Sequence, residues 1–237
     1  MSDRDPEGAN PIETHWDTKK ASGNEMWEQK RRLADAMRLV IERLVPSNAP
    51  AEELRLAAEG LERYAEALKA HPRLVKVMGH SETANAGNVG AFFDQSPLIG
   101  LANPLAPPIT IGKSGPRSAA ASVTFGSAYE GPPGSVHGGF VAAAFDEVLG
   151  FVQSLSGNPG MTGTLTIRYR KPTPLHQALR IDAEWVRSEG RKTFCEGRII
   201  VDGVVTAEAE GIFVAVPKER MEALMEKRQA SEKERLG

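Results

Sequence analysis

The sequence predicts an α+β fold in which an antiparallel β-sheet wraps around one long α-helix, with a helical extension at the N-terminus. Three observations carry that expectation. The segment 138–152, Gly138-Gly139-Phe140-Val141-Ala142-Ala143-Ala144-Phe145-Asp146-Glu147-Val148-Leu149-Gly150-Phe151-Val152, is of helical length and apolar on every side apart from Asp146 and Glu147, so it should be enclosed on every side. After it the apolar period becomes two, as in strands with one buried face. Asp202-Gly203 joins the last two alternating runs with a two-residue hairpin signal. A half-apolar sheet must cover something, and this helix is the long apolar object available.

Residues 1–23 are polar, contain Gly and Pro and show no period, and are expected to form a poorly ordered arm. From Asn24 the residues Leu33, Met37, Val40, Ile41 and Leu44 recur at helical spacing, with Asn24 placed to cap and Pro46 to stop. A second helix starts at Pro50, a residue suited to a first helical turn, and carries Leu54, Ala57, Leu61, Tyr64 and Leu68 on one face before His71-Pro72. These two are expected to form a helical hairpin over 24–75, an appendage for packing or oligomerisation, because neither stripe carries polar chemistry. Residues 76–108 read as a linker that closes in Asn103-Pro104-Leu105-Ala106-Pro107-Pro108. The main domain is expected over 109–217, with a first strand near 109–112 and a second within 118–128. Gly112-Lys113-Ser114 imitates the end of a phosphate-binding loop, but Pro107 stands where that motif needs glycine.

Beyond the apolar helix, four strands are expected as an antiparallel meander. In 162–170, Leu165, Ile167 and Tyr169 point one way, and Thr162, Thr164, Thr166, Arg168 and Arg170 the other. Leu179, Ile181, Ala183 and Trp185 alternate in the next run, and the last two strands span about 192–201 and 204–216. Residues 218–237 read as a charged helix or tail.

Composition narrows the function. With 237 residues, a formal charge of −2, 41% hydrophobic and 25% charged residues, the chain matches an ordinary soluble globular protein. A near-neutral surface favours neither nucleic acid nor an anionic membrane as main partner. No run approaches the length of apolar residues that spans a bilayer, and the acidic, polar N-terminus is unlike a signal peptide, so the expected location is cytoplasmic. Cys195 is the single cysteine and reads as a small buried apolar residue. The five histidines have no ligand spacing, so no metal is expected. Gly-x-Ser-x-Gly, His-Glu-x-x-His and Gly-x-Gly-x-x-Gly motifs are absent.

What remains is the surroundings of His137-Gly138-Gly139 and Asp146. If the helix starts near His137, the amides of Gly138 and Gly139 are free first-turn donors at the positive end of the helix dipole, suited to a developing oxyanion. Two glycines also simply let a loop enter a helix tightly. Asp146 lies mid-helix, where it caps nothing, and reads as a buried carboxylate satisfied by a neighbour or as a base or nucleophile in an enclosed pocket. Glu147 is expected to turn toward solvent or a rim. Gly138 and Asp146 are eight residues apart, about 12 Å along a helix, too far to touch one carbonyl. They can cooperate when two copies of the helix lie antiparallel in a two-fold homodimer.

The loop, the His137-Gly138-Gly139 sequence, the apolar helix with Asp146, and then Met161-Thr162-Gly163-Thr164-Leu165-Thr166-Ile167-Arg168-Tyr169-Arg170-Lys171-Pro172-Thr173-Pro174-Leu175 resemble the hotdog-fold acyl-CoA thioesterases of the phenylacetate-type (PaaI-like) branch. The resemblance covers about residues 95–217 and leaves the N-terminal helices outside. It implies a sheet wrapped around the central helix, homodimers or tetramers with sites at the subunit interface, and hydrolysis of fatty or aryl acyl-CoA, with no cofactor beyond the coenzyme A of the substrate. Carried over, Gly138 would donate its amide to the thioester oxygen, His137 would shape the loop, and Asp146 would act as general base or nucleophile. Thr162 matches a hydroxyl that orients water or the carboxylate. Gly139, Arg168, Arg170 and Lys171 would contribute to substrate binding, the three cations at the coenzyme phosphates. A noncatalytic acyl-CoA-binding or regulatory hotdog protein is the alternative.

Overall fold

The computed structural model describes residues 15–16, 25–72, 94–158 and 160–217 together with positions 223, 227 and 231. Most of the expected arm and tail, and residues 76–93 of the linker expected over 76–108, lie outside the described residues. The helices with defined bounds are α1 (Glu25–Leu44), α2 (Ala51–Ala67) and α3 (Gly138–Ser154), and positions 223, 227 and 231 are helical as well. The strands are β1 (His15–Trp16), β2 (Thr110–Gly115), β3 (Ser118–Thr124), β4 (Gly160–Tyr169), β5 (Ala178–Glu189), β6 (Lys192–Val201) and β7 (Val204–Ala215).

All pairings are antiparallel and form one sheet in the order β1-β2-β3-β5-β6-β7-β4. The expected meander is therefore corrected: β4 lies beside β7 rather than β5, and β5 instead pairs with β3. The reason is the connection after β4. Lys171-Pro172-Thr173-Pro174 cannot make a tight hairpin, since proline lacks the donor and fixes φ. The segment is instead pinned across the molecule: the amides of Arg170 and Lys171 donate to the Thr206 carbonyl, and those of Leu175 and His176 to Gly134 and Phe125. This route carries the chain to the far side of the sheet and leaves β4 as an edge strand, paired only on its β7 side. The β6–β7 turn follows the sequence closely, with Asp202 and Gly203 both at positive φ (48° and 78°), as a type I′ hairpin requires.

The sheet curls over α3. Phe145, Val148, Leu149 and Val152 of the helix are fully buried against Ile181, Ile199, Ala207 and Phe213, each large side chain contributing roughly 1.5–3 kcal/mol of burial. Leu149 sits over Gly197 of β6 and Gly211 of β7, where an added Cβ would lie 3.1 and 3.2 Å from its methyl groups. The two strand glycines thus set how closely the helix approaches the sheet. This is the hotdog arrangement that the sequence predicts.

The N-terminal helices have the predicted bounds but not the predicted packing. α1 docks on the domain through its polar side. Arg31 makes two 2.7 Å bonds to the Asp94 carboxylate, Arg38 donates to the carbonyls of Leu101 (2.9 Å) and Asn103 (2.7 Å), and Glu42 accepts from the amide (2.7 Å) and hydroxyl (2.8 Å) of Ser127. Leu33, Met37, Val40 and Leu44, expected to face the second helix, are exposed. α2 buries no residue. The amphipathic period located both helices, but the Arg31–Asp94 ion pair and the hydrogen bonds of Arg38 and Glu42 decided which side of α1 faces the protein.

Candidate active site

Loop 126–137 enters α3 through a short chain of backbone bonds. The His137 amide donates to the Tyr129 carbonyl (2.8 Å) and the Val136 amide to the Thr173 carbonyl (2.8 Å). His137 is the N-cap: its Nδ1 accepts from the Gly139 amide at 3.0 Å. This satisfies one of the orphan donors at the helix start. Of the two glycine amides expected to be free, only that of Gly138 has no acceptor among the described residues. The Gly139 amide therefore donates to the cap and is not free for a ligand. The role of His137 follows from the same bond: it aims the first turn by holding Gly139.

On the carbonyl side, Gly138 is held by the Tyr169 hydroxyl, which donates to its oxygen at 2.8 Å. A Cβ at Gly138 would lie 3.2 Å from that hydroxyl. Tyr169, the last residue of β4, is read from the sequence only as sharing a strand face with Leu165 and Ile167.

The other end of β4 meets the carboxylate. The Thr162 hydroxyl donates to Asp146 Oδ1 at 2.7 Å. Strand alternation assigns Thr162 to the face opposite Leu165, Ile167 and Tyr169, and the structure corrects this. β4 carries a bulge: Thr162 pairs with Phe213 and Thr164 with Ile212, so Gly163 is an extra residue. The extra residue reverses the parity and turns the Thr162 side chain to the helix side.

The two carboxylates of α3 exchange their expected settings. Asp146 is exposed in the single chain, because the helix is covered by the sheet on one side only and its other face, with Gly139, Ala142, Ala143, Asp146 and Gly150, stays open. Glu147 is instead half-buried and makes no hydrogen bond or ion pair among the described residues. Burial pushes its carboxyl up to about 7, with the neighbouring Asp146 charge adding to the shift. The sign is destabilising for the charged form. Between the ordinary value of 4.5 and about 7, the folded chain holds a proton that the unfolded chain has lost, so stability falls as pH rises through this window. Glu147→Gln is expected to raise stability at pH 8 by at most about 3 kcal/mol and to change little at pH 4. Denaturant melts at the two pH values measure this, and equal effects at both would remove Glu147 as the cause.

The remaining predicted residues lie on the opposite face of the sheet or beyond it. Arg168 pairs with Glu210, and Arg170 with Glu208 at 2.7 Å, both from β7. Lys171 is exposed just after β4 and makes no ion pair among the described residues. The structure therefore brings together Gly138 with His137 and Gly139 at one end of β4, and Asp146 with Thr162 at the other. Cys195 is buried, which pushes its thiol up to about 12 and leaves it without thiolate chemistry. No group of three or more potential metal ligands exists among the described residues.

Comparison with known proteins agrees with this architecture. The family model of the Thioesterase superfamily matches residues 133–208, from the loop before α3 into β7. Acyl-coenzyme A thioesterase THEM4 of Bos taurus is 34% identical over 93 residues, 38% of this chain and 38% of its own length. Its counterpart in Xenopus laevis is 37% identical over 87 residues, 36% of this chain and 39% of its own length. The matched stretch thus spans well under half of these curated relatives. A crystal structure of protein RHA08564, a thioesterase superfamily protein, is 33% identical, covering 81% of this chain and 96% of that one with a TM-score of 0.71. That match includes nearly the whole of a solved relative, and with it the chain belongs to the thioesterase superfamily.

Proposed function

We propose that this chain is an acyl-CoA thioesterase that hydrolyses an acyl-CoA thioester to a free acid and coenzyme A, in a composite site shared by two copies of the chain. The observation that carries this reading is the placement of the two half-sites at opposite ends of one exposed edge strand. Thr162 stands beside Asp146, and Tyr169 beside Gly138. If a second β4 pairs antiparallel with the first so that Thr162 of one lies opposite Tyr169 of the other, a two-fold axis passes between residues 165 and 166. The same operation brings Asp146 of each copy toward the free Gly138 amide of its partner, and so bridges the roughly 12 Å that separates them within one helix. The open face of α3, built of glycine and alanine around Asp146, gives the partner helix room to approach.

In that site the Gly138 amide would polarise the thioester oxygen and hold the negative charge that develops on it. Asp146 of the other copy, oriented by the Thr162 hydroxyl, would take a proton from water as it attacks the carbonyl carbon, or attack that carbon itself. In either route the carbon–sulfur bond breaks and the coenzyme leaves as a thiol, taking the proton that Asp146 drew from water or, after direct attack, one from solvent. In the direct route the acyl group stays on Asp146 as a mixed anhydride until a water cleaves it and releases the acid. Lys171, charged, exposed and without an ion-pair partner among the described residues, is the cation best placed for the coenzyme phosphates. Arg168 and Arg170 would have to leave their glutamates first. The names of the THEM4 relatives support this substrate class.

The test is thiol release from a panel of short, long and aromatic acyl-CoAs, run beside sedimentation of the same preparation. Turnover by a dimer or larger assembly is the expected result. A monomer that hydrolyses at full rate would overturn the composite site, and an assembly that releases no thiol from any member of the panel would overturn the activity.

A further inference from the structure

A cavity of about 490 Å³ lies between α1 and the first turn of α3, within the size range of small-molecule sites. Leu39 and Ile41 of α1, Pro104 and Pro107 of the loop before β2, and Phe140 of α3 form its apolar walls. Phe140 follows Gly138 by two residues, about 3 Å along the helix axis. Its ring meets that of Tyr129 edge-on at 4.8 Å. The cavity thus borders the helical turn that carries the Gly138 amide.

Three of the polar groups of this wall, which also includes Thr124 and His176, are already engaged by the protein. Arg38 is taken up by the carbonyls of Leu101 and Asn103, Glu42 by the Ser127 amide and hydroxyl, and the Tyr129 hydroxyl donates to the Leu105 carbonyl at 2.8 Å. A ligand bearing hydroxyl or amide groups would lose its water there and find few free partners, whereas an alkyl chain loses nothing by entering. The same bonds fix α1 in place, so Leu39 and Ile41, which adjoin Arg38 and Glu42, form a stationary wall.

We propose that this cavity receives the acyl chain of the thioester, that the preferred chain is an unsubstituted alkyl chain, and that Leu39 on α1 limits its length. This rests on the thioesterase reading for the nature of the ligand. The N-terminal helix then selects the substrate of a site built by the hotdog domain.

Leu39 is 48% exposed, so replacing it leaves the folded core untouched. The probes are S-decyl-CoA and S-ethyl-CoA, thioethers that cannot be hydrolysed, titrated by calorimetry, and decanoyl-, tetradecanoyl- and acetyl-CoA for turnover. Leu39→Trp is expected to lower the ratio of S-decyl-CoA to S-ethyl-CoA affinity by about tenfold, and the decanoyl to acetyl ratio of kcat/KM likewise. Leu39→Ala is expected to shift both toward longer chains, raising the tetradecanoyl to acetyl ratio severalfold. Opposite shifts from the two variants would not follow from a general loss of structure. Parallel changes for short and long probes, or none in either variant, overturn the proposal. A wild type that binds S-decyl-CoA in a Leu39-dependent way yet releases no thiol leaves the cavity assignment standing and removes the thioesterase reading. Turnover with a chain-length profile indifferent to Leu39 does the reverse.

Discussion

Asp146→Asn is expected to leave a folded assembly whose thioester hydrolysis is lower by about 10³-fold or more, in keeping with the loss of a positioned base or nucleophile. The substitution keeps the shape of the side chain and its ability to accept from the Thr162 hydroxyl at 2.7 Å. What it removes is the negative charge, so neither proton abstraction nor direct attack survives. Asp146 is exposed in the single chain, so this change leaves the core of the chain intact. Binding of a non-hydrolysable thioether analogue should persist, so the loss should fall on kcat. Turnover within tenfold of the parent protein would refute the assignment.

The second large effect comes from mixing two inactive proteins. Gly138→Pro deletes the amide proposed to hold the oxyanion at a position that otherwise suits proline: residue 138 is the first of α3, and His137 before it has extended backbone (φ −60°, ψ 133°). On its own the variant is expected to lose about 10²–10³-fold in kcat. When it is unfolded and refolded with an equal amount of Asp146→Asn, half of the dimers contain one chain of each kind. In these, one site has lost both groups and the other has both. About a quarter of the parent activity should therefore return, as two-fold sharing of sites requires. Recovery of no activity would mean that Gly138 and Asp146 of the same chain serve the same site, or that they do not act together.

How much of this was legible in the sequence depended on whether a signal was local. The apolar run fixed α3, the glycine pair fixed its start, and the Asp202-Gly203 turn fixed the last hairpin, because each is decided within a few residues. A helix apolar on every side has no periodicity to orient it, so nothing in the sequence could tell that Asp146 would face outward and Glu147 inward. Thr162 was misplaced by one face because a bulge at Gly163 is a property of pairing with β7, visible only once Phe213 and Ile212 are matched to their partners. The same holds for Arg168 and Arg170, whose glutamate partners lie 42 and 38 residues away. The stripes of α1 and α2 suggested that the two helices cover each other. The contacts that anchor α1 instead come from its polar side, which a hydrophobic pattern does not register.

In the proposed dimer, the position of the two half-sites at opposite ends of β4 would also govern how damage in one copy spreads to another. A chain that had lost only its carboxylate would still lend its amide to a healthy partner, and the mixed pair would keep one working site. A chain that had lost both would lend nothing and would silence its partner as well. Two lesions that are each recessive would then be dominant when carried on the same chain.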